Sequence, residues 1–191
     1  MTTEEVITRF KAKGALLEGH FVLSSGLHST NYLQCALVLQ YPQEAEGFGR
    51  AIASHFKDDK IRLVASPAIG GIVIGHEVAR ALGARFIWTE RENGKMTLRR
   101  GFSVIPGEKT LVVEDVITTG GSTLETIKSL QVAGADVIAA ASIIDRSMGE
   151  ADVGVRRVAL ATLEVPSVDP SVCDSCERGE PAIKPGSGTR Q

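Results

Sequence analysis

In Leu111-Val112-Val113-Glu114-Asp115-Val116-Ile117-Thr118-Thr119-Gly120-Gly121-Ser122-Thr123, three apolar residues run into two adjacent carboxylates. A turn rich in hydroxyls and glycine follows, and then a helical pattern starts. The apolar run predicts a buried strand, and Thr118 to Ser122 predicts the turn that feeds the next helix. Small hydroxyl residues and two glycines let a backbone wrap closely around a ligand with its N–H groups turned inward. That is an anion nest at a helix N-terminus, and it needs no lysine. Glu114 and Asp115 would repel a phosphate, so they suit hydroxyl groups or a bound cation instead. The combination points to a sugar bearing a phosphate, held at both ends. A nucleoside-triphosphatase reading is excluded, because no Gly-x-x-x-x-Gly-Lys-Ser/Thr occurs in the chain. No Gly-x-Gly-x-x-Gly follows a strand, so a dinucleotide site has no support either.

Working outward, Leu63-Val64-Ala65 predicts another strand, which runs into Ser66-Pro67-Ala68-Ile69-Gly70-Gly71 and a helix over Ile72 to Leu82. If the strands are parallel, this glycine-rich loop lies at the same sheet edge as the acidic pair. Such turns also serve as plain strand-to-helix connections. Arg85 to Trp88 predicts a third strand. The charged stretch Thr89 to Gly101 fits neither period, and reads as a lid, a binding loop or a solvated basic face. After Leu111 to Val113, a helix is predicted over about Ser122 to Val132. Val137 to Ile144 is a continuous apolar strand covered on both faces, ending at Asp145-Arg146. Arg157 to Val165 predicts one more strand. Upstream, Thr3 to Lys13 and Gln43 to Lys57 have helical spacing, and Phe21 to Tyr32 reads as a hairpin. Beyond Pro166 the composition turns to Pro, Ser, Asp and Gly, which reads as tail.

The chain of 191 residues has a formal net charge of −2 and an ordinary apolar fraction, which suits one α/β domain with a full core. Near-neutral charge does not indicate a nucleic-acid-binding surface, although it leaves a local patch open. The start lacks a signal-peptide pattern and the longest apolar run is too short to span a bilayer, so a cytoplasmic location with no membrane partner is expected. Three cysteines make no disulfide framework. Cys173 and Cys176 have metal-ligand spacing, but the tail around them holds no histidine, so they read as two reduced thiols.

The segment from Leu111 to Thr123 resembles the sugar-donor signature of the type I phosphoribosyltransferases. Phe21-Val22-Leu23-Ser24-Ser25-Gly26-Leu27-His28-Ser29-Thr30-Asn31-Tyr32 resembles the N-terminal hood of the orotate phosphoribosyltransferases within that family. The resemblance, carried from Phe21 to Arg146, implies the type I phosphoribosyltransferase fold: an α/β domain with a mainly parallel sheet flanked by helices. The expected parts are a hood at roughly 1–40, a core at roughly 41–165 and a tail at roughly 166–191. It further implies Mg²⁺-dependent transfer of phosphoribosyl from phosphoribosyl pyrophosphate to orotate. Another purine or uracil transferase, or a sensor of the same fold, stays open as an alternative.

By the same resemblance Glu114 and Asp115 hold the ribose hydroxyls; Val116 and Ile117 continue the phosphoribosyl pyrophosphate-binding stretch, and Thr118, Thr119, Gly120, Gly121 and Ser122 hold the 5'-phosphate. Thr118, Tyr32, Leu33 and Arg146 meet orotate. Arg91 and Lys95 are implied to close over pyrophosphate from the neighbouring subunit of a homodimer with shared sites. Magnesium is implied to rest on substrate oxygens, with no protein metal ligand assigned. The chain departs from better-known members at Ser24 and Gly70, where they carry lysines, and near Thr97, where they carry a histidine. Its acidic pair is Glu-Asp rather than Asp-Asp.

Overall fold

The computed structural model describes residues 1–23 and 25–184, so the departure at Ser24 lies outside the described residues. Helix α1 (Thr3–Ala12) opens with a capping box, in which Thr2 and Glu5 each satisfy the other's backbone N–H. Strands β1 (Leu16–Val22) and β2 (His28–Leu33) then pair antiparallel as the hood hairpin. Two helices follow, α2 (Cys35–Leu39) and α3 (Pro42–Ala53). The remaining strands are β3 (Leu63–Pro67), β4 (Arg85–Glu92), β5 (Lys95–Leu98), β6 (Lys109–Ile117), β7 (Asp136–Asp145) and β8 (Arg156–Thr162). Helix α4 (Gly71–Leu82) connects β3 to β4, and α5 (Gly121–Val132) connects β6 to β7. A short helix, α6 (Asp174–Glu177), lies near the end.

The six later strands form one sheet in the order β5-β4-β3-β6-β7-β8, parallel except for β5. Alternation along β6 divides the core in two. Leu111 and Val113 pack with Phe10, Phe48, Ile52 and Ile74 from α1, α3 and α4, while Val112 packs with Ile127 and Leu130 of α5 on the other face. A sheet covered on both faces explains why β6 and β7 read as unbroken apolar runs. Helices α3 and α4 cross closely at Gly49, where an added Cβ would lie 2.7 Å from Cβ of Glu77.

Two expectations change. The stretch after Trp88 is a hairpin, not an irregular loop: β4 continues to Glu92 and pairs with β5. Asn93 and Gly94 make its turn with φ of 49° and 80°, the left-handed pair that an Asn-Gly hairpin turn requires. The segment beyond Pro166 is not a loose tail as far as it is described. Val168 exchanges both backbone hydrogen bonds with His28, and Ile183 does so across His20 and Val22.

Candidate functional site

Strands β3 and β6 are neighbours, yet the chain leaves β3 through α4 on one face and β6 through α5 on the other. The two loops therefore diverge and leave a crevice at the C-terminal edge of the sheet, the place where open α/β sheets bind ligands. Glu114 and Asp115 sit at that end of β6. Gly70, in the β3–α4 loop, lies directly against them: an added Cβ would stand 2.8 Å from Oδ1 of Asp115. A lysine there would have to displace the acid, so glycine at this position follows from the packing.

The carboxylate pair is buried, and burial raises both groups above their ordinary range. Glu114 is pushed up to about 9, first by desolvation and then by the neighbouring Asp115 charge. For Asp115 desolvation is again the largest effect, opposed by the N–H of Val116 and by the Glu114 side chain. Two carboxyl groups this close oppose each other's ionisation, which adds to the desolvation that raises Glu114.

After Ile117 the backbone turns through Gly120, which has φ 78°, and enters α5 at Gly121. A Cβ on Gly120 would also approach Val153 to 2.9 Å. The N-cap residue Gly120 supplies no side-chain cap, and the N–H of Gly121 has only a long contact of 3.5 Å to Oγ1 of Thr119. The first N–H groups of α5, with the hydroxyls of Thr118, Thr119, Ser122 and Thr123, line a small polar cavity of about 80 Å³ that Glu114 also borders. A helix N-terminus with polar lining and so little internal capping suits a phosphoryl group.

A larger cavity of about 620 Å³ adjoins it, lined by Tyr32, Leu33 and Cys35 of the hood side and by Asp115, Thr118 and Arg146 of the sheet edge. Arg146 follows β7 and donates its N–H to the carbonyl of Ile117 at 2.8 Å, which fixes it beside the loop. Its Nε is buried with no hydrogen-bond partner. A guanidinium in that condition suits an anionic ligand in the cavity. Asp145 anchors the turn that carries it: its carboxylate accepts from the N–H and hydroxyl of Ser147 and the N–H of Gly149. Burial alone would raise Asp145, but those bonds and Arg157 hold it below the usual carboxylate range.

The phosphoribosyl transferase domain family matches residues 37–160. The orotate phosphoribosyltransferase of Pelotomaculum thermopropionicum is 54% identical over 187 residues, covering 98% of this chain and 98% of the relative. That of Thermotoga maritima is 51% identical, covering 91% of this chain and 93% of its own. The chain belongs to the orotate phosphoribosyltransferase family. The crystal structure of the Aeropyrum pernix orotate phosphoribosyltransferase superposes with a TM-score of 0.68 at 28% identity, covering 83% of this chain and 93% of that one. An adenine phosphoribosyltransferase from Thermoanaerobacter pseudethanolicus gives 0.66 at 18% identity, covering 85% of this chain and 100% of that one. The last comparison shows the fold alone, so base choice within this architecture rests on individual residues rather than on topology.

Among the residues expected at a site in this family, the structure brings together Glu114 to Ser122, Arg146, Tyr32 and Leu33. Arg91 and Lys95 line neither cavity. Arg91 is ion-paired with Glu125 of α5 at 3.0 Å and bonds the carbonyl of Gly94 across its own turn. Arg99 and Arg100 are likewise engaged, with Glu92 and Glu90 of the hairpin. Sequence reasoning missed Cys35, whose thiol is raised well above its usual value, chiefly by burial and then by Asp115. It also missed Ser167 and Lys184, which reach the larger cavity from the segment read as tail. The reading of Cys173 and Cys176 as thiols with no further ligands nearby does not hold: His20 and His28 of the hood stand against them.

The Glu114 shift has a measurable consequence. With its pKa raised from about 4.5 in the unfolded chain to about 9 in the fold, the native state holds the extra proton. Its stability contribution is full below about pH 4.5 and is lost as pH rises toward 9. Glu114→Gln removes this dependence. The ligand-free variant should melt close to wild type at pH 5 and several degrees above it at pH 9, at about 2–4 °C per kcal/mol for a chain of this size. Parallel melting curves of the two proteins against pH would show no such divergence if Glu114 titrates normally.

Proposed function

We propose that the chain transfers phosphoribosyl from phosphoribosyl pyrophosphate to orotate, giving orotidine 5'-monophosphate and pyrophosphate for pyrimidine synthesis. The observation that carries this reading is Arg146: a half-buried guanidinium whose Nε has no partner among the described residues, in the same cavity as Asp115 and walled by Tyr32 and Leu33. Orotate is a flat base with a carboxylate, and a planar cationic fork beside a half-apolar wall complements it. An uncharged base would leave the fork unpaired.

In this reading the 5'-phosphate sits on the N-terminus of α5, held by the backbone from Thr118 to Ser122. Glu114 and Asp115 accept from the ribose 2'- and 3'-hydroxyls. As orotate N1 forms its bond to the anomeric carbon and gives up its proton to solvent, the bond to the pyrophosphate oxygen breaks and its electron pair leaves with pyrophosphate. Positive charge builds on the ribose ring meanwhile, and the charge retained by the acidic pair favours it. Positioning and electrostatics supply the acceleration, with no covalent intermediate on the protein.

The crevice fits a hard divalent ion, since its ionisable donors are carboxylates and the Cys35 thiol is held protonated. Mg²⁺ bound with the substrate would supply charge neutralisation for the pyrophosphate, resting mainly on pyrophosphate and ribose oxygens. Arg91 and Lys95, at the tip of the β4–β5 hairpin, are assigned to the pyrophosphate of a neighbouring subunit in a homodimer. That assignment is supported by their absence from the lining of their own chain's cavities and by their exposure. No helix is long and apolar enough to cross a membrane among the described residues. A cytoplasmic location belongs to the same proposal.

Following orotate absorbance with phosphoribosyl pyrophosphate and Mg²⁺, with adenine, hypoxanthine and uracil as rivals, tests the activity. Orotate should be consumed and the rivals spared; the reverse would move the function to another base. Arg146→Ala should lower kcat/KM for orotate by about 10–150-fold, the equivalent of about 1.5–3 kcal/mol for a lost charge-assisted contact. Unchanged orotate kinetics would remove Arg146 from the site. For the shared site, Arg91→Ala chains mixed with Asp115→Asn chains should regain activity in hybrids, because one crevice is then intact and served by an intact hairpin. No recovery despite verified subunit exchange would contradict donation across the dimer.

A further inference from the structure

Away from the crevice, four metal-ligating side chains meet at the seam between the hood hairpin and the C-terminal segment. His20 lies on β1 and His28 on β2; Cys173 immediately precedes α6 and Cys176 lies within it. Both histidines and Cys173 are buried, and Cys176 closes the outer side. One ligating atom from each lies within 4.8 Å of all the others. Nε2 of His20 is 2.8 Å from Nδ1 of His28, 3.5 Å from Sγ of Cys173 and 3.7 Å from Sγ of Cys176. Sγ of Cys176 is 3.2 Å from Nδ1 of His28.

Zinc–sulfur and zinc–nitrogen bonds of about 2.3 and 2.0–2.1 Å give a tetrahedron whose edges are about 3.3 Å between nitrogens and about 3.5 Å between nitrogen and sulfur. Three of the nitrogen–sulfur separations, 3.2, 3.5 and 3.7 Å, stand near that edge, and the histidine nitrogens at 2.8 Å would need to part slightly. The protonation pattern agrees. Nδ1 of His20 lies 2.9 Å from the carbonyl oxygen of Glu180, which can only accept. Nδ1 therefore carries the hydrogen, and in the neutral ring Nε2 presents a lone pair to the centre of the cluster. A ligating histidine ordinarily has such a carbonyl behind it, fixing tautomer and ring orientation.

We propose that His20, His28, Cys173 and Cys176 bind one structural Zn²⁺ that clasps the C-terminal segment onto the hood. Two thiolates and two neutral imidazoles cancel the charge of the ion, so the filled site can stay largely out of water. Four protein ligands close the coordination shell, which makes the site structural rather than catalytic. Nitrogen and thiolate donors in a tetrahedron select zinc over magnesium. The site is independent of the assigned reaction, yet it bears on the crevice. The backbone pairs at Val168 and Ile183 flank the clasp, and the residues beside them, Ser167 and Lys184, line the larger cavity. Fixing α6 to the hairpin thus fixes both walls.

The full chain, purified under reducing conditions without a metal-affinity step, should carry one zinc per chain by elemental analysis. Co²⁺ exchanged into it should give the d–d bands of a tetrahedral site and a thiolate-to-cobalt charge-transfer band. Cys176→Ser, with its fold checked by circular dichroism, should lose the charge-transfer intensity of one thiolate and most of the zinc. Chelation of wild type should lower its melting temperature and open the segment after Pro166 to limited proteolysis. The proposal is overturned if folded, fully reduced wild type holds no zinc and gives no charge-transfer band with added Co²⁺. It is also overturned if zinc content is the same in Cys176→Ser, which would place the ion elsewhere, or if Cys173 and Cys176 are isolated as a disulfide with no metal.

Discussion

Two carboxylates on consecutive residues, at the buried end of a central strand, are costly to ionise together, and much of the architecture around Asp115 answers to that. The core covers both faces of the sheet up to the end of β6, where Glu114 is buried and Asp115 half-buried at the crevice. Desolvation raises both groups, Glu114 to about 9. The β3–α4 loop must pass so close that Gly70 has no room for a side chain. The positive end of α5 begins six residues beyond Asp115, so a ligand with hydroxyls at one end and phosphate at the other meets complementary groups on one short stretch of chain.

The second constraint comes from topology. Because β3 and β6 send their helices to opposite faces, their loops part at the sheet edge and leave room for a sugar and its leaving group. Strand β7 ends one position over, and the hydrogen bond from Arg146 to Ile117 brings a guanidinium to the same edge. The hood hairpin then supplies Tyr32 and Leu33 as the far wall. Three elements distant in sequence meet here because the parallel sheet aligns all its strand ends on one side.

What could be read from sequence was local. An apolar run ending in Glu114-Asp115 and a Thr-Thr-Gly-Gly-Ser-Thr turn lie within one βα unit, so spacing alone placed them. Arg146 was legible as the residue after a continuous buried strand. Helix α2, five residues of Cys-Ala-Leu-Val-Leu, is too short to show a period and was missed. The β4–β5 hairpin had its signal in Asn93-Gly94, but the surrounding charge was read as loop. The glycine at position 70 has its reason in a carboxylate 45 residues away in the chain, which no local pattern contains. The meeting of His20 and His28 with Cys173 and Cys176 spans up to 156 residues of separation and depends on the hairpin docking against the C-terminal segment. Composition read that segment as tail because its pairing is with the hood, not with a period of its own.

The account stands on the crevice as a receptor for an activated ribose phosphate. Isothermal titration of the well-folded protein with phosphoribosyl pyrophosphate and Mg²⁺ tests this most directly. It predicts one saturable site per chain, weakened at least tenfold in Asp115→Asn, by about 1.4 kcal/mol or more. Absence of binding heat at two temperatures, or equal affinity in the variant, would contradict it.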